Sequence, residues 1–247
     1  MTLTESLFKK GLRHGVPIGL GYLSVSFAFG IQALAAGLTP LEALVISMTN
    51  VTSAGQLAGI GLMAAGGSLT EMALTQLTIN LRYALMSLSL AQRFDGSMGT
   101  VQRLIFSFCN TDEIFAVAAS QPERLNKRYL YGLMVAPWLG WSLGTILGAL
   151  AGAVLPMFVR TALGIAIYGM FIAIVLPPCR ESKAVRTVAL LAAGLSILFR
   201  YAPVLREVPS GYTIILCAVA ASAVGALLFP AEEDDARERA GEGEAKA

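Results

Sequence analysis

Between Leu41 and Ala65 runs the stretch LEALVISMTNVTSAGQLAGIGLMAA, apolar at both ends and polar across Met48-Thr49-Asn50-Val51-Thr52-Ser53-Ala54-Gly55-Gln56. A helix needs about 20 apolar residues to cross a bilayer core, so the length suffices. The centre, however, carries hydroxyls and amides that lipid does not accommodate. Backbone that leaves the helix at membrane depth is tolerated only where protein or a water-filled cavity receives it. The stretch therefore predicts a broken or re-entrant membrane helix. A shorter segment, Leu104 to Gln121, repeats the pattern with Asn110-Thr111-Asp112-Glu113 at its middle.

Outward from these two, further apolar runs lie at 16–38, 69–91, 129–150, 158–176, 187–202 and 212–229. Of the 247 residues, 55% are hydrophobic and 14% charged, and the mean hydropathy is +0.67, well outside the balance of water-soluble domains. The fold class expected is an all-α polytopic membrane protein of six to eight transmembrane helices, with segments 41–65 and 104–121 broken or re-entrant. Residues 1–15 read as a cytoplasmic N-terminal segment and 16–230 as one membrane-spanning domain. In 231–247, seven Asp/Glu face three Lys/Arg without apolar periodicity, which reads as an acidic, disordered cytoplasmic tail.

Basic residues set the orientation. The loop with Arg124, Lys127 and Arg128 and the loop with Arg180, Lys183 and Arg186 are expected on the cytoplasmic side, together with both termini. If all eight segments span, the loop with Arg93 and Arg103 falls outside; if the second and fourth re-enter, it moves inside, in line with the charge rule. Lys9, Lys10 and Arg13 before the first apolar run imitate a secretory signal, but the run from Val16 to Leu38 exceeds the usual signal core of about 7–15 residues. An uncleaved first helix is expected.

Arg82 sits mid-way along the third segment, where a charge costs roughly 2.5–3.5 kcal/mol on the insertion scale. Helical periodicity places Thr75, Thr78, Arg82 and Ser89 on one side and points Asn80 elsewhere. Asp112 and Glu113 are the acids that match Arg82 in depth. Two readings follow: a structural ion pair joining two helices, or a site that binds the two ends of a small zwitterion or carries a coupling proton. Gln56 and Asn80 are candidates to add neutral hydrogen bonds to such a substrate.

Gly140, Gly144, Gly148 and Gly152 recur every fourth residue, so they share a helix face that lets another backbone approach closely. Trp138 and Trp141 suit anchors at the lipid interface. Pro17-Ile18-Gly19-Leu20-Gly21-Tyr22 and Pro137-Trp138-Leu139-Gly140-Trp141 open two segments alike, which suits either a parallel internal repeat or chance, given how common Gly and Pro are in membrane helices.

Cys109, Cys179 and Cys217 share no metal-ligand spacing and read as packing residues. The one histidine, His14, precedes the first apolar run. No nucleotide-binding loop is present, and the residue set gives no nucleophile context or metal cluster for an intramembrane enzyme. A non-enzymatic transporter without a cofactor or metal is expected, with a channel-like permease or a structural membrane subunit as alternatives.

At Gly15-Val16-Pro17 with Ala28-Phe29-Gly30, Ala54-Gly55-Gln56, Asn80-Leu81-Arg82-Tyr83, Thr111-Asp112-Glu113, and Trp138 to Gly144 with Gly148, the sequence resembles the AzlC family, the large subunit of two-component branched-chain amino acid exporters. The resemblance covers roughly the whole chain up to the tail. It implies a permease of the bacterial inner (plasma) membrane that exports leucine, isoleucine, valine or analogues with a small membrane subunit of the AzlD type. Tyr83 stands where the family is associated with a His.

Overall fold

A computed structural model describes residues 3–230, which form helices and the short connections between them; the tail read at 231–247 lies outside the described residues. The chain divides into two compact units, Met1–Met170 and Phe171–Ala247. The first holds α1 (Leu3–Ala35), α2 (Pro40–Thr49), α3 (Ser53–Ala64), α4 (Leu69–Ala91), α5 (Thr100–Phe108), α6 (Asp112–Ala119), α7 (Lys127–Val154) and the start of α8 (Met157–Glu181). The second holds the rest of α8, then α9 (Lys183–Tyr201) and α10 (Ser210–Leu228). The all-α membrane architecture read from the sequence is the architecture found.

Leu7–Ala35, Lys127–Gly152, Lys183–Tyr201 and Ser210–Leu228 are long and apolar enough to cross a membrane. α4 and α8, at 23 and 25 residues, also exceed the crossing length. α4 turns Leu77, Leu81, Leu85 and Leu88 outward, each more than half exposed. Such a face would be a liability in water and is what lipid requires.

Both polar-centred segments are broken helices. α2 starts from a capping box, in which Thr39 Oγ1 accepts from the Glu42 amide at 3.2 Å while the Glu42 carboxylate accepts from the Thr39 amide at 2.7 Å, with Pro40 supplying the preset φ of a first helical residue. It stops at Thr49, and α3 restarts with Thr52 as its extended N-cap. α5 stops at Phe108, and α6 restarts with Thr111 as its extended N-cap. At both breaks the N-cap amide turns back to the carbonyl two residues earlier: Thr52 N to Asn50 O and Thr111 N to Cys109 O, each at 3.0 Å. That i to i−2 bond is the mark of a γ-turn.

α1 and α7 form the spine of the first unit and run parallel. A Cβ placed on Gly140, Gly144 or Gly148 would collide with the carbonyl oxygens of Gly19, Leu23 and Phe27 respectively, and one on Gly15 or Gly19 would meet those of Leu133 and Ala136. The ascending order on both helices fixes the direction. Gly152, the last of the stripe, is looser, with its nearest neighbour, Leu34 Cδ2, at 3.4 Å from such a Cβ. α1 is helical from Leu3 and Gly11 already lies against the Tyr129 carbonyl, so residues 3–15 of the N-terminal segment form the first turns of this helix.

Where α4, α5, α6 and α7 meet, Leu90, Phe106, Ile114, Leu125 and Leu130 form a buried cluster. Polar bonds close its end. Arg93 donates to the carbonyls of Ala119 and Gln121, and Asp95 accepts from Asn126 Nδ2 at 2.8 Å and from the Ser97 amide at 2.9 Å. Cys109 and Cys217 are buried, and Cys179 is partly so. In the second unit, Ser182 caps α9 by accepting from the Val185 amide at 3.3 Å, and Gly225 of α10 lies against Val188 of α9.

Candidate functional site

α4 is continuous, and the side it presents to the two breaks is not the threonine side expected from periodicity. Gln76, Asn80, Tyr83 and Ser87 follow one another at spacings of three and four, so they share a face. Gln76 Nε2 donates to Gly55 O at 2.7 Å, Tyr83 reaches Thr52 Oγ1 at 3.3 Å, and Ser87 accepts from Asn110 Nδ2 at 3.1 Å. Asn80 therefore faces the breaks without any unwinding. Thr78 instead spends its hydroxyl on the Leu74 carbonyl of its own helix, at 2.9 Å.

Arg82 stands at the side of this face. Its Nη1 lies 2.8 Å from Asp112 Oδ2, its Nη2 donates to the Tyr83 hydroxyl at 3.2 Å, and its guanidinium lies 4.9 Å from the Tyr83 ring centroid. Both members of the ion pair keep 46% of their side-chain surface exposed. Asp112 and Glu113 occupy the first turn of α6, where the positive end of the helix dipole offsets part of the cost of their charge. Glu113 does not pair with Arg82. Its carboxylate accepts from the Tyr22 hydroxyl of α1, which also lies 2.6 Å from Thr111 Oγ1. A phenol has one proton, so with Glu113 ionised the Thr111 hydroxyl is the donor in the second bond.

Gln56 is 1% exposed and belongs to a closed ring of hydrogen bonds. Trp141 Nε1 donates to Gln56 Oε1 at 3.0 Å, Gln56 Nε2 to Ser47 Oγ at 3.0 Å, Ser47 to Thr145 Oγ1 at 2.7 Å, and Thr145 to the Trp141 carbonyl at 3.0 Å. An indole can only donate and a carbonyl can only accept, and the two together fix the direction of each link. Trp141, expected at the lipid interface, is buried at the centre of the unit and packs edge-on against Tyr22 at 5.2 Å between centroids. Trp138 is only partly buried, and it donates to Met48 O at 3.1 Å.

Two open clefts flank the α2–α3 break and share Thr49 and Asn50. The first, of about 430 Å³, is lined by Asn50, Thr52, Asn80, Tyr83, Ser107 and Asn110. The second, of about 560 Å³, is lined chiefly by Ile46, Gly59, Ile60, Met63 and Met72, with Gln56 and Gln76 at its polar edge. A polar pocket thus adjoins an aliphatic one, with Arg82 beside the first through Tyr83.

Of the residues singled out in the sequence, the fold brings Arg82 and Asp112 into contact, ties Glu113 to Tyr22, sets Asn80 at the polar cleft and locks Gln56 into the ring. Tyr22, Gln76, Asn110 and Trp141 were missed as polar partners. Two signals in the sequence point to them: the Asn-Val-Thr and Asn-Thr words at the breaks, and Tyr22 and Trp141 following the two similar prolines.

The sequence profile of the AzlC protein family matches residues 17–155. The chain is 30% identical over 199 residues to inner membrane protein YgaZ of Escherichia coli strain K12, covering 78% of this chain and 81% of that protein. An uncharacterized membrane protein of Archaeoglobus fulgidus is 33% identical over 175 residues, covering 70% and 76% of the two chains. One from Helicobacter pylori strain 26695 is 28% identical over 149 residues, covering 59% and 64%. No solved structure matches the chain. The family profile spans the spine from Pro17 onward, both broken helices and the Arg82–Asp112 pair, and the chain is a membrane protein of the AzlC family.

Proposed function

We propose that this protein is a secondary transporter that exports branched-chain amino acids across the inner membrane, together with a small AzlD-type membrane subunit, and that it performs no covalent chemistry. The observation that carries the reading is the Arg82–Asp112 pair, which joins α4 to the restart of a broken helix and is left half open. Burying both charges of such a pair is costly unless every hydrogen bond is met; this one is left half open and can exchange partners. Broken helices around a midplane site are the recurring construction of secondary transporters.

The chemistry runs as follows. A substrate carboxylate replaces Asp112 on the guanidinium, which holds two oxygens in a fork. Asp112 is then free to exchange a proton or to return once the substrate leaves. The branched aliphatic side chain lies in the neighbouring cleft against Ile46, Ile60 and Met63, while Tyr83, standing where the resemblance associates a His, links Arg82 to the α2–α3 break. The AzlD-type partner and the branched-chain substrates come from the family resemblance.

Export of leucine from cells or proteoliposomes tests the reading with Arg82→Gln, Asp112→Asn and Glu113→Gln at matched membrane abundance. Loss of export with normal abundance is expected for the first two. Full activity in all three removes these residues from the pathway, and passive conductance without coupling to a gradient favours a channel.

A further inference from the structure

We propose that the polar cleft between the two helix breaks is a binding site for a small monovalent cation, with Asn80 Oδ1 and Asn110 Oδ1 among its oxygen ligands. The argument starts from a carbonyl. Gly55 O accepts from Gln76 Nε2 at 2.7 Å, so the other end of the Gln76 amide must accept, and it does so from Asn80 Nδ2 at 3.0 Å. The chain of amides is rooted in a backbone group that cannot reverse its role. Its last member, Asn80, is therefore obliged to present its oxygen outward.

Among the described residues that oxygen meets no hydrogen-bond donor, nor does Asn110 Oδ1, although both are buried. Asn110 as a whole is only 3% exposed. Both side chains line the same cleft. Buried acceptors without donors are costly, and two at one cleft call for a common partner. Thr75 Oγ1 shares the condition but lines neither cleft.

The surroundings select the sign of that partner. The cleft also takes in Thr49, the last residue of α2, and Phe108, the last residue of α5. Helix C-termini carry partial negative charge and N-termini partial positive charge; the positive end of α3 at its N-cap Thr52 offsets part of the two negative ends, so the sign is set by the two amide oxygens, with the hydroxyls of Thr52 and Ser107 alongside. Oxygen atoms of this kind suit a hard cation or an alkylammonium. Two sources supply that chemistry: an alkali ion, or the ammonium group of an amino acid. Only the second rests on the transport reading.

Binding to the full chain in lipid nanodiscs separates them. One arm measures ²²Na⁺ in choline buffer without amino acid; the other compares leucine with 4-methylpentanoate, which lacks the amine. Asn110→Asp is the informative variant, since Ser87 can rotate its hydroxyl to donate and keep the bond, while the cleft gains a charged oxygen. Added ligand charge tightens cation binding, and a gain of about tenfold is expected in whichever arm is real. Asn80→Leu, checked for an unchanged melting temperature, is expected to abolish it. Saturable ²²Na⁺ binding tightened by Asn110→Asp supports an alkali-ion site; a preference for leucine over 4-methylpentanoate, widened by the same variant, supports an ammonium site. Absence of both signals, or a signal indifferent to Asn110→Asp, overturns the proposal and leaves an ordered water as the partner of the two oxygens. Because binding is read without transport, the site can stand if export fails and fall if export is found.

Discussion

Arg82 Nη1 sits 2.8 Å from Asp112 Oδ2 across the gap between α4 and the first turn of α6, with both side chains half in the open. A reversed pair, Arg82→Asp with Asp112→Arg, separates holding from binding. The exchange preserves attraction between the helices but moves the guanidinium to the start of α6. Membrane abundance is expected to recover relative to either single variant, while export stays at least about 100-fold down, since losing a bidentate charged contact is worth roughly 3 kcal/mol. Recovery of export in the reversed pair would make the ion pair structural. Proteoliposome efflux at equal protein loading reads the difference.

The aliphatic cleft sets selectivity by volume. A Cβ at Gly59 would lie 3.5 Å from Gln76 Nε2 and 3.8 Å from Met72 Sδ, so small side chains fit and large ones fill the space. Gly59→Leu is expected to lower leucine export about tenfold more than alanine export, in keeping with the modest energy per methylene in apolar pockets. Equal losses for both substrates, measured by competition efflux, would place the side chain elsewhere.

Gly144 and Gly152 belong to one stripe but differ in what surrounds them. A methyl at Gly144 runs into Ser26 Oγ and the Leu23 carbonyl, whereas at Gly152 it meets ordinary contact distances. Gly144→Ala is expected to destabilise by about 1–3 kcal/mol, the range for overpacking, and Gly152→Ala to be near neutral. Thermal melting in detergent orders the two variants.

The connection after α4 is pH-sensitive through Asp95. Burial alone would raise its carboxyl, but hydrogen bonds from Ser97 and Asn126 and the charge of Lys127 outweigh it and hold the group below the ordinary carboxylate range. A lowered folded value stabilises the protein above the unfolded pKa of about 3.9, and the contribution is lost as pH falls through the folded value. Asp95→Asn should therefore be less stable than the parent at pH 7, with the gap closing below about pH 4. A gap that stays constant with pH would show that charge is not involved.

Sulfhydryl labelling tests orientation. Single cysteines at either terminus and in the Arg93–Arg103 connection are expected to react from the cytoplasmic side, as basic residues require. Labelling of a terminus from outside would reverse the assignment.

Much of this was legible in the residues. The two broken helices could be read because Asn50 and Asn110 interrupt apolar runs, and lipid allows few reasons for that. The glycine stripe announced close packing, and the fold supplies its partner, α1, in parallel. The inward face of α4 is not the one periodicity suggests, because in the sequence Arg82 looks like the centre of the polar stripe. Arg82 is long enough to reach Asp112 from the flank, while the shorter Gln76 and Asn80 must point straight at their partners. Trp141 was misplaced for a similar reason, since an indole at the water boundary and one inside a hydrogen-bonded ring look alike until the acceptor, Gln56, is seen.

The parallel spine also carries a temporal consequence. α1 leaves the ribosome well before α7, yet the carbonyls it fits belong to α7, more than ninety residues beyond its end. At roughly 5–20 residues per second of synthesis, the first helix waits for several seconds at least with its glycine groove unfilled. During that interval α2 to α6 enter the bilayer beside a helix that has no mate, so the broken segments are assembled before the post they finally lean on is complete. A chain truncated before Lys127 should then remain protease-sensitive in the membrane, and one extended through Val154 should become resistant.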